Sequence, residues 1–182
     1  DGSVSCWGFN NYGQLGDGTT LDRSTPVSVS GLSDIIYLSA PAEHTCAVRA
    51  DGTAWCWGRN DYGQVGDGTT TPRTSPVQVS DLANAIAIAS APRSAHSCAV
   101  TDDGSVWCWG QNNGGQLGDG TQTKRLTPTE VQTIGKSVQL SAGYAHTCAI
   151  FHPTNPSANF GDVYCWGDNS NGQLGDGSTA QR

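Results

Sequence analysis

The sequence predicts an all-β fold in which one small sheet is copied along the chain. Three observations carry that expectation. The triplet Cys-Trp-Gly recurs at Cys6, Cys56, Cys108 and Cys165. Gly-Gln-Leu-Gly-Asp-Gly follows each triplet, starting at Gly13, Gly63 (with Val65 for leucine), Gly115 and Gly172. Between these landmarks, short apolar runs are bounded by glycine, proline and aspartate, and no segment carries the 3.6-residue period of an amphipathic helix.

The elements can be justified in order within residues 26 to 58. Val27 and Val29 alternate with serines as a short strand. Ile35 to Leu38 form a compact apolar strand. Its equivalent, Ala85 to Ala89, uses small residues, as an inner strand in a crowded position would. Thr45 to Arg49 then pairs with Thr53 to Trp57 across Asp51-Gly52, a good hairpin turn. Four strands result. His-Thr/Ser-Cys precedes three of the triplets, at His44, His96 and His146, and Thr/Ser-Pro follows the glycine motif at Pro26, Pro76 and Pro128.

The approximate units are 1–25 (partial), 26–75, 76–127 and 128–182, the last lacking its closing strand. Four-stranded units of this period point to the blades of a β-propeller. A solenoid would repeat sooner, and a sandwich would not repeat its sequence. The glycines of the loop motif should supply positive φ angles. The tryptophan after each cysteine should fill the space between adjacent blades.

Composition narrows the function classes. Lysine plus arginine number 9 against 16 aspartate plus glutamate, a net charge of −7. That disfavours nucleic acid and anionic lipid as partners, both of which need basic surface. No apolar run reaches the ~20 residues of a membrane helix. Methionine is absent, so the expectation is a segment of a longer propeller, or an arc completed by another chain. Arg182 aligns with Arg23, before the Thr/Ser-Pro strand of its unit, which gives about three and a quarter repeats.

The stretch Cys-Trp-Gly-x-Asn-x-x-Gly-Gln-Leu-Gly-Asp-Gly-Thr, at Cys6 to Thr19 and Cys108 to Thr121, resembles the repeats of the regulator of chromosome condensation family, in a secreted, disulfide-containing form. The upstream His-Thr-Cys-Ala-Val and the Asp-Gly turns match as well. The resemblance implies a propeller of about seven blades when closed. It implies little about activity, since the family spans nucleotide-exchange factors, secreted inhibitors and receptor ectodomains.

Seven cysteines follow the repeat. Cys46 lies 10 residues before Cys56, Cys98 lies 10 before Cys108, and Cys148 lies 17 before Cys165. Each pair should face across antiparallel strands within disulfide reach. The expected bonds are Cys46–Cys56, Cys98–Cys108 and Cys148–Cys165, with Cys6 unpaired. Such pairs imply an oxidising compartment: extracellular, cell-surface or periplasmic.

No catalytic constellation stands out. His44, His96 and His146 occupy one position per unit, which is what packing demands. Asp17, Asp67, Asp119 and Asp176 each give a Gly-Asp-Gly loop one carboxylate, fewer than a calcium loop collects, so they are expected to cap their own turns. Asp102-Asp103 is a solvated turn. The glycine runs lack the lysine and helix of a phosphate loop. Neither cofactor nor metal is expected.

Recognition should lie where the copies differ. The position after the triplet holds Phe9, Arg59, Gln111 and Asp168. Three further on stand Tyr12, Tyr62, Gly114 and Asn171. Other variable loops hold Arg73, Arg93, Tyr144 and His152. Phe9, Tyr12, Arg59, Tyr62, Arg73, Arg93, Tyr144 and His152 are therefore the partner-binding candidates. The function expected is an extracellular or cell-surface, non-catalytic protein-binding module. The alternative is a structural subunit of an envelope or filament that self-assembles through open blade edges. A propeller lyase and a guanine-nucleotide exchange factor rank lower.

Overall fold

The computed structural model describes residues 2–91, 95–132, 135–152 and 161–182. Every regular element among them is a strand: β1 (Ser5–Gly8), β2 (Arg23–Ser28), β3 (Ile35–Ser39), β4 (His44–Arg49), β5 (Ala54–Gly58), β6 (Arg73–Gln78), β7 (Ala85–Ser90), β8 (His96–Thr101), β9 (Val106–Gly110), β10 (Arg125–Glu130), β11 (Ser137–Ala142), β12 (His146–Phe151) and β13 (Asp162–Gly167). They form four antiparallel sheets, β1-β2, β3 to β6, β7 to β10 and β11 to β13. None of the described residues forms a helix long and apolar enough to cross a membrane.

The sheets are out of phase with the sequence units. The Thr/Ser-Pro strand does not open a blade; it closes the one before. Cys56 pairs with Val77, and Cys6 with Val27. A complete blade thus runs from β3 to β6, where the sequence unit was drawn at 26–75. A repeat can be cut at any point along its period; only strand pairing decides which cut is a sheet.

The core lies between sheets, not within them. Alternation sends Cys46, Val48, Ala54 and Cys56 to one face, where they meet Val79, Leu82, Ala85, Ile88, Ala99 and Trp109. Ala47 and Trp57 go to the other face and meet Val4, Val29 and Leu32. The third seam repeats this with Cys98, Val100, Cys108, Leu117, Val131 and Leu140. The first strands converge, β3 touching β7 and β7 touching β11, and so mark the axis side of the arc. The small residues of β7 fit that crowding, although Ile86 within it is 47 % exposed.

The glycine loop behaves as its sequence requires. Gly13, Gly16 and Gly18 hold φ of 79°, 73° and 82°. At Gly16 a Cβ would also stand 2.7 Å from Trp57 Nε1. Both the left-handed backbone and the closeness of the neighbouring indole demand glycine there.

Candidate functional site

Two sets of side chains must be separated before a site can be seen: those that join the blades, and those left over. The joining set is uniform. Trp57, Trp109 and Trp166 donate their indole N–H to the carbonyls of Gln14, Gln64 and Gln116 at 2.9, 2.9 and 3.0 Å, each across a seam. Thr45, Ser97 and Thr147 donate their hydroxyls to the same three carbonyls at 2.9, 3.0 and 2.9 Å.

The histidines complete this seam. His44 Nε2 lies 3.0 Å from Ser97 Oγ and His96 Nε2 lies 3.0 Å from Thr147 Oγ1. Because each hydroxyl proton already goes to a glutamine carbonyl, Nε2 is the donor and the tautomer is set. A histidine 3 Å from a serine is also the geometry of a base and its nucleophile. Here Ser97 is fully buried and its proton is aimed away from the ring, so the pair ties blade to blade. Burial lowers His44 to about 4, and burial with the neighbouring rings lowers His96 to about 3.

A second clamp shapes each glycine loop. Buried Asn10 accepts from Leu15 N and donates to the carbonyls of Thr19 and Leu21. Asp17 Oδ1 accepts from Thr19 N at 2.9 Å and Thr19 Oγ1 at 2.7 Å, capping its own turn. Its Oδ2 takes Arg23 at 2.7 Å. The ion pair recurs as Arg73–Asp67, Arg125–Asp119 and Arg182–Asp176. Desolvation opposes ionisation of Asp17, but the Thr19 and Arg23 hydrogen bonds outweigh it and hold the carboxyl at about 2. Arg73, grouped with the variable loops by sequence, is therefore a member of this repeating clamp. The signal was present: an arginine stands six residues after the aspartate in all four copies.

The cysteine pairs are joined as disulfides, Cys46–Cys56, Cys98–Cys108 and Cys148–Cys165, each with Cα atoms 4.1 Å apart. Cys6 is a free, half-buried thiol whose pKa burial raises.

Most of the remaining candidates lie at one end of the sheets. The loop after each triplet lies against the turn between the first two strands: Arg59 N donates to Glu43 O at 2.8 Å, Gln111 N to Ala95 O at 2.7 Å and Asp168 N to Ala145 O at 2.8 Å. Gln14 crosses to the next blade, Nε2 donating to Ala42 O at 3.2 Å while Oε1 accepts from Tyr12 N at 3.0 Å. Tyr12 is thereby set over Arg59, whose guanidinium lies 5.2 Å from the ring centroid. Arg59 also bonds Asp61 and Glu43, each at 2.6 Å, and these bonds hold it charged. Phe9, 52 % exposed, borders a groove of about 330 Å³ with Trp7, Gln14 and Ala42. Tyr144 is 67 % exposed on the corresponding turn of the last sheet.

Phe9, Tyr12, Arg59, Tyr62 and Tyr144 thus share one end. His152 does not join them; it follows β12 at the opposite end, its N–H on Lys136 O at 2.8 Å. Arg93 lies outside the described residues.

The fold and this division define the class: an arc of β-propeller blades with an invariant seam and a variable rim. The model of the regulator of chromosome condensation (RCC1) repeat matches residues 1–48, 51–100, 103–150 and 161–182, and the chain belongs to that family. It is 32 % identical to the ultraviolet-B receptor UVR8 of Arabidopsis thaliana, over all of this chain and 41 % of that protein. It is 40 % identical to the RCC2 homolog of Danio rerio, over 50 % of this chain and 17 % of that protein. Human WBSCR16 superposes with a TM-score of 0.82 at 22 % identity, covering all of this chain and 47 % of that one. Prp20p of Saccharomyces cerevisiae superposes with a TM-score of 0.74 at 24 % identity, over 97 % and 44 %. The chain therefore spans less than half the length of the relatives it matches.

Proposed function

We propose that this chain is a non-catalytic protein-recognition module of an oxidising compartment, binding through the rim that carries Phe9, Tyr12, Arg59, Tyr62 and Tyr144. One observation carries the reading. His44 and His96, the hydroxyls of Thr45, Ser97 and Thr147, and the four recurring Asp–Arg pairs are committed to the seam or to the loop clamp. Phe9, Tyr12, Arg59, Tyr62 and Tyr144, at positions that differ between copies, lie at one end of the sheets. Aromatic groups backed by a rigid scaffold are the usual anchors of protein interfaces. Three disulfides within the hairpins support the compartment.

The reading has two tests. Non-reducing peptide mapping of material taken from its source should show the three cross-links; freely alkylated Cys46, Cys98 and Cys148 would remove the compartment from the proposal. Partner capture from the extracellular fraction should be lost in Phe9→Ala and Tyr62→Ala but kept in His152→Ala. Capture that ignores the first two would place recognition elsewhere.

A further inference from the structure

The inner strands of three blades each leave one apolar side chain uncovered. The pairing of β3 with β4 steps over Ile36, that of β7 with β8 over Ile86, and that of β11 with β12 over Val138. A bulge of this kind re-aims its side chain. Ile88 and Leu140, beyond the bulge, keep the alternation and pack into the seams. The three bulge residues stay outside those clusters: Ile36 is 58 % exposed, and Val138, like Ile86, 47 %. Because β3 touches β7 and β7 touches β11, they make one row on the axis side. At the β3 end the row opens into a groove of about 330 Å³, which Ile36 lines together with Val4, Tyr37 and Leu38.

The row lies at the end of the sheets opposite the rim, and carboxylates frame it. Each hairpin turn tucks under the next inner strand: Ala85 N donates to Gly52 O at 2.9 Å and Ser137 N to Gly104 O at 2.8 Å. Asp51, Asp102 and Asp103 are thereby brought to the bases of β7 and β11, and Asp34 precedes β3. With Asp81, Glu130 and Asp162, against Arg49 and Lys136, the described residues of this end carry a net charge of −5. Arg49 is already shared by Asp34 and Asp51. Asp81 and Asp102 engage no cation among the described residues.

Exposed apolar surface marks a place of contact, and the charge around it selects what comes. A second copy, itself at −7, would set acid against acid, and an anionic lipid surface would be repelled. A segment that alternates apolar with basic side chains covers the row and brings cations to the carboxylates.

We propose that the end opposite the rim is a second docking surface, where Ile36, Ile86 and Val138 receive the apolar side chains of a basic partner segment whose lysines or arginines lie against the surrounding carboxylates.

The test uses two fluorescent peptides of equal charge, Gly-Lys-Leu-Lys-Leu-Lys-Leu-Lys-Gly and its counterpart with serine in place of leucine, titrated by anisotropy at physiological salt. The wild-type protein should bind the leucine peptide roughly 10-fold or more tightly than the serine peptide. Ile86→Ser and Val138→Ser should each weaken binding of the leucine peptide by roughly 5- to 10-fold. Asp81→Asn and Asp102→Asn should weaken it by roughly 2- to 3-fold. Tyr62→Ala, on the rim, should leave it unchanged. Equal affinity for the two peptides would assign the attraction to net charge alone and overturn the row. So would wild-type affinity in both serine variants, or absence of binding by the wild-type protein. Wild-type affinity in both asparagine variants would overturn the basic chemistry of the partner. A loss in Tyr62→Ala would move the contact to the rim and overturn the second surface. Ile86 and Val138 lie in different blades, so the question stays answerable if one variant fails to fold. None of these outcomes bears on capture through Phe9, so the two surfaces are tested separately.

Discussion

The seam between blades and the rim at their ends are cut from the same repeats under opposite constraints. At the seam, each copy carries the same residue because its partner is another copy: Trp109 needs the carbonyl of Gln64, and His96 needs the hydroxyl of Thr147. At the rim, neighbouring copies carry tyrosine or glycine, arginine or aspartate, and the fold accepts each. Repetition in a sequence thus marks side chains that hold the array together, and divergence marks side chains free to meet something else.

The sharpest way to break this contrast is to remove a seam residue. Trp109 is fully buried and bonded across the seam. Trp109→Ala should cost about 3–5 kcal/mol, read as a fall in urea midpoint. A loss below about 1 kcal/mol would mean that the tryptophan does not tie one blade to the next, and the seam would lose its central role.

The disulfides come next. Cys98 and Cys108 are buried and directly opposed across β8 and β9. Replacing both with serine removes a constraint on a short loop and should cost about 2–3 kcal/mol. Denaturant titration of the double variant against wild type measures it.

The seam explains how much of the fold was legible. The triplets, the Asp-Gly hairpins and the cysteine spacing are local in sequence, so strands β4 and β5 and their disulfide could be read directly. The tryptophan's place between blades followed from its recurrence. The His44–Ser97 bond could not be read in the same way, because it joins two copies 53 residues apart, and no single repeat contains it. Blade phase was hidden for the same reason. Within the rim, Phe9, Tyr12 and Arg59 were found by divergence. Arg73 was grouped with them because its neighbours vary, although the arginine itself does not.

The histidines turn the seam into an acid-sensitive joint. In the folded chain burial keeps His44 neutral down to about pH 4, whereas an unfolded histidine takes its proton near 6.5. Between those values the unfolded chain binds more protons, so stability falls as pH falls. His44→Gln retains a donor toward Ser97 without the titration. It should flatten the loss between pH 6.5 and 4 in thermal scans; an unchanged slope would show that His44 does not drive it. Below that window Asp17, held at about 2 by Thr19 and Arg23, adds its own loss as pH falls from 3.9 toward 2.

The smallest effect separates two arginines of the same blade. Arg73 is paired with Asp67, whose side chain is 8 % exposed and depends on it for charge compensation. Arg59 is paired with Glu43 and Asp61, which are 32 % and 47 % exposed and can turn to water. Arg73→Gln leaves a carboxylate with little access to solvent, so it should destabilise by about 1–2 kcal/mol. Arg59→Gln removes a surface pair and should cost less than about 0.5 kcal/mol, while changing partner affinity. Chemical denaturation of the two variants side by side decides the assignment. If Arg59→Gln proved the more damaging, the rim would be part of the framework after all, and recognition would have to be sought on another face.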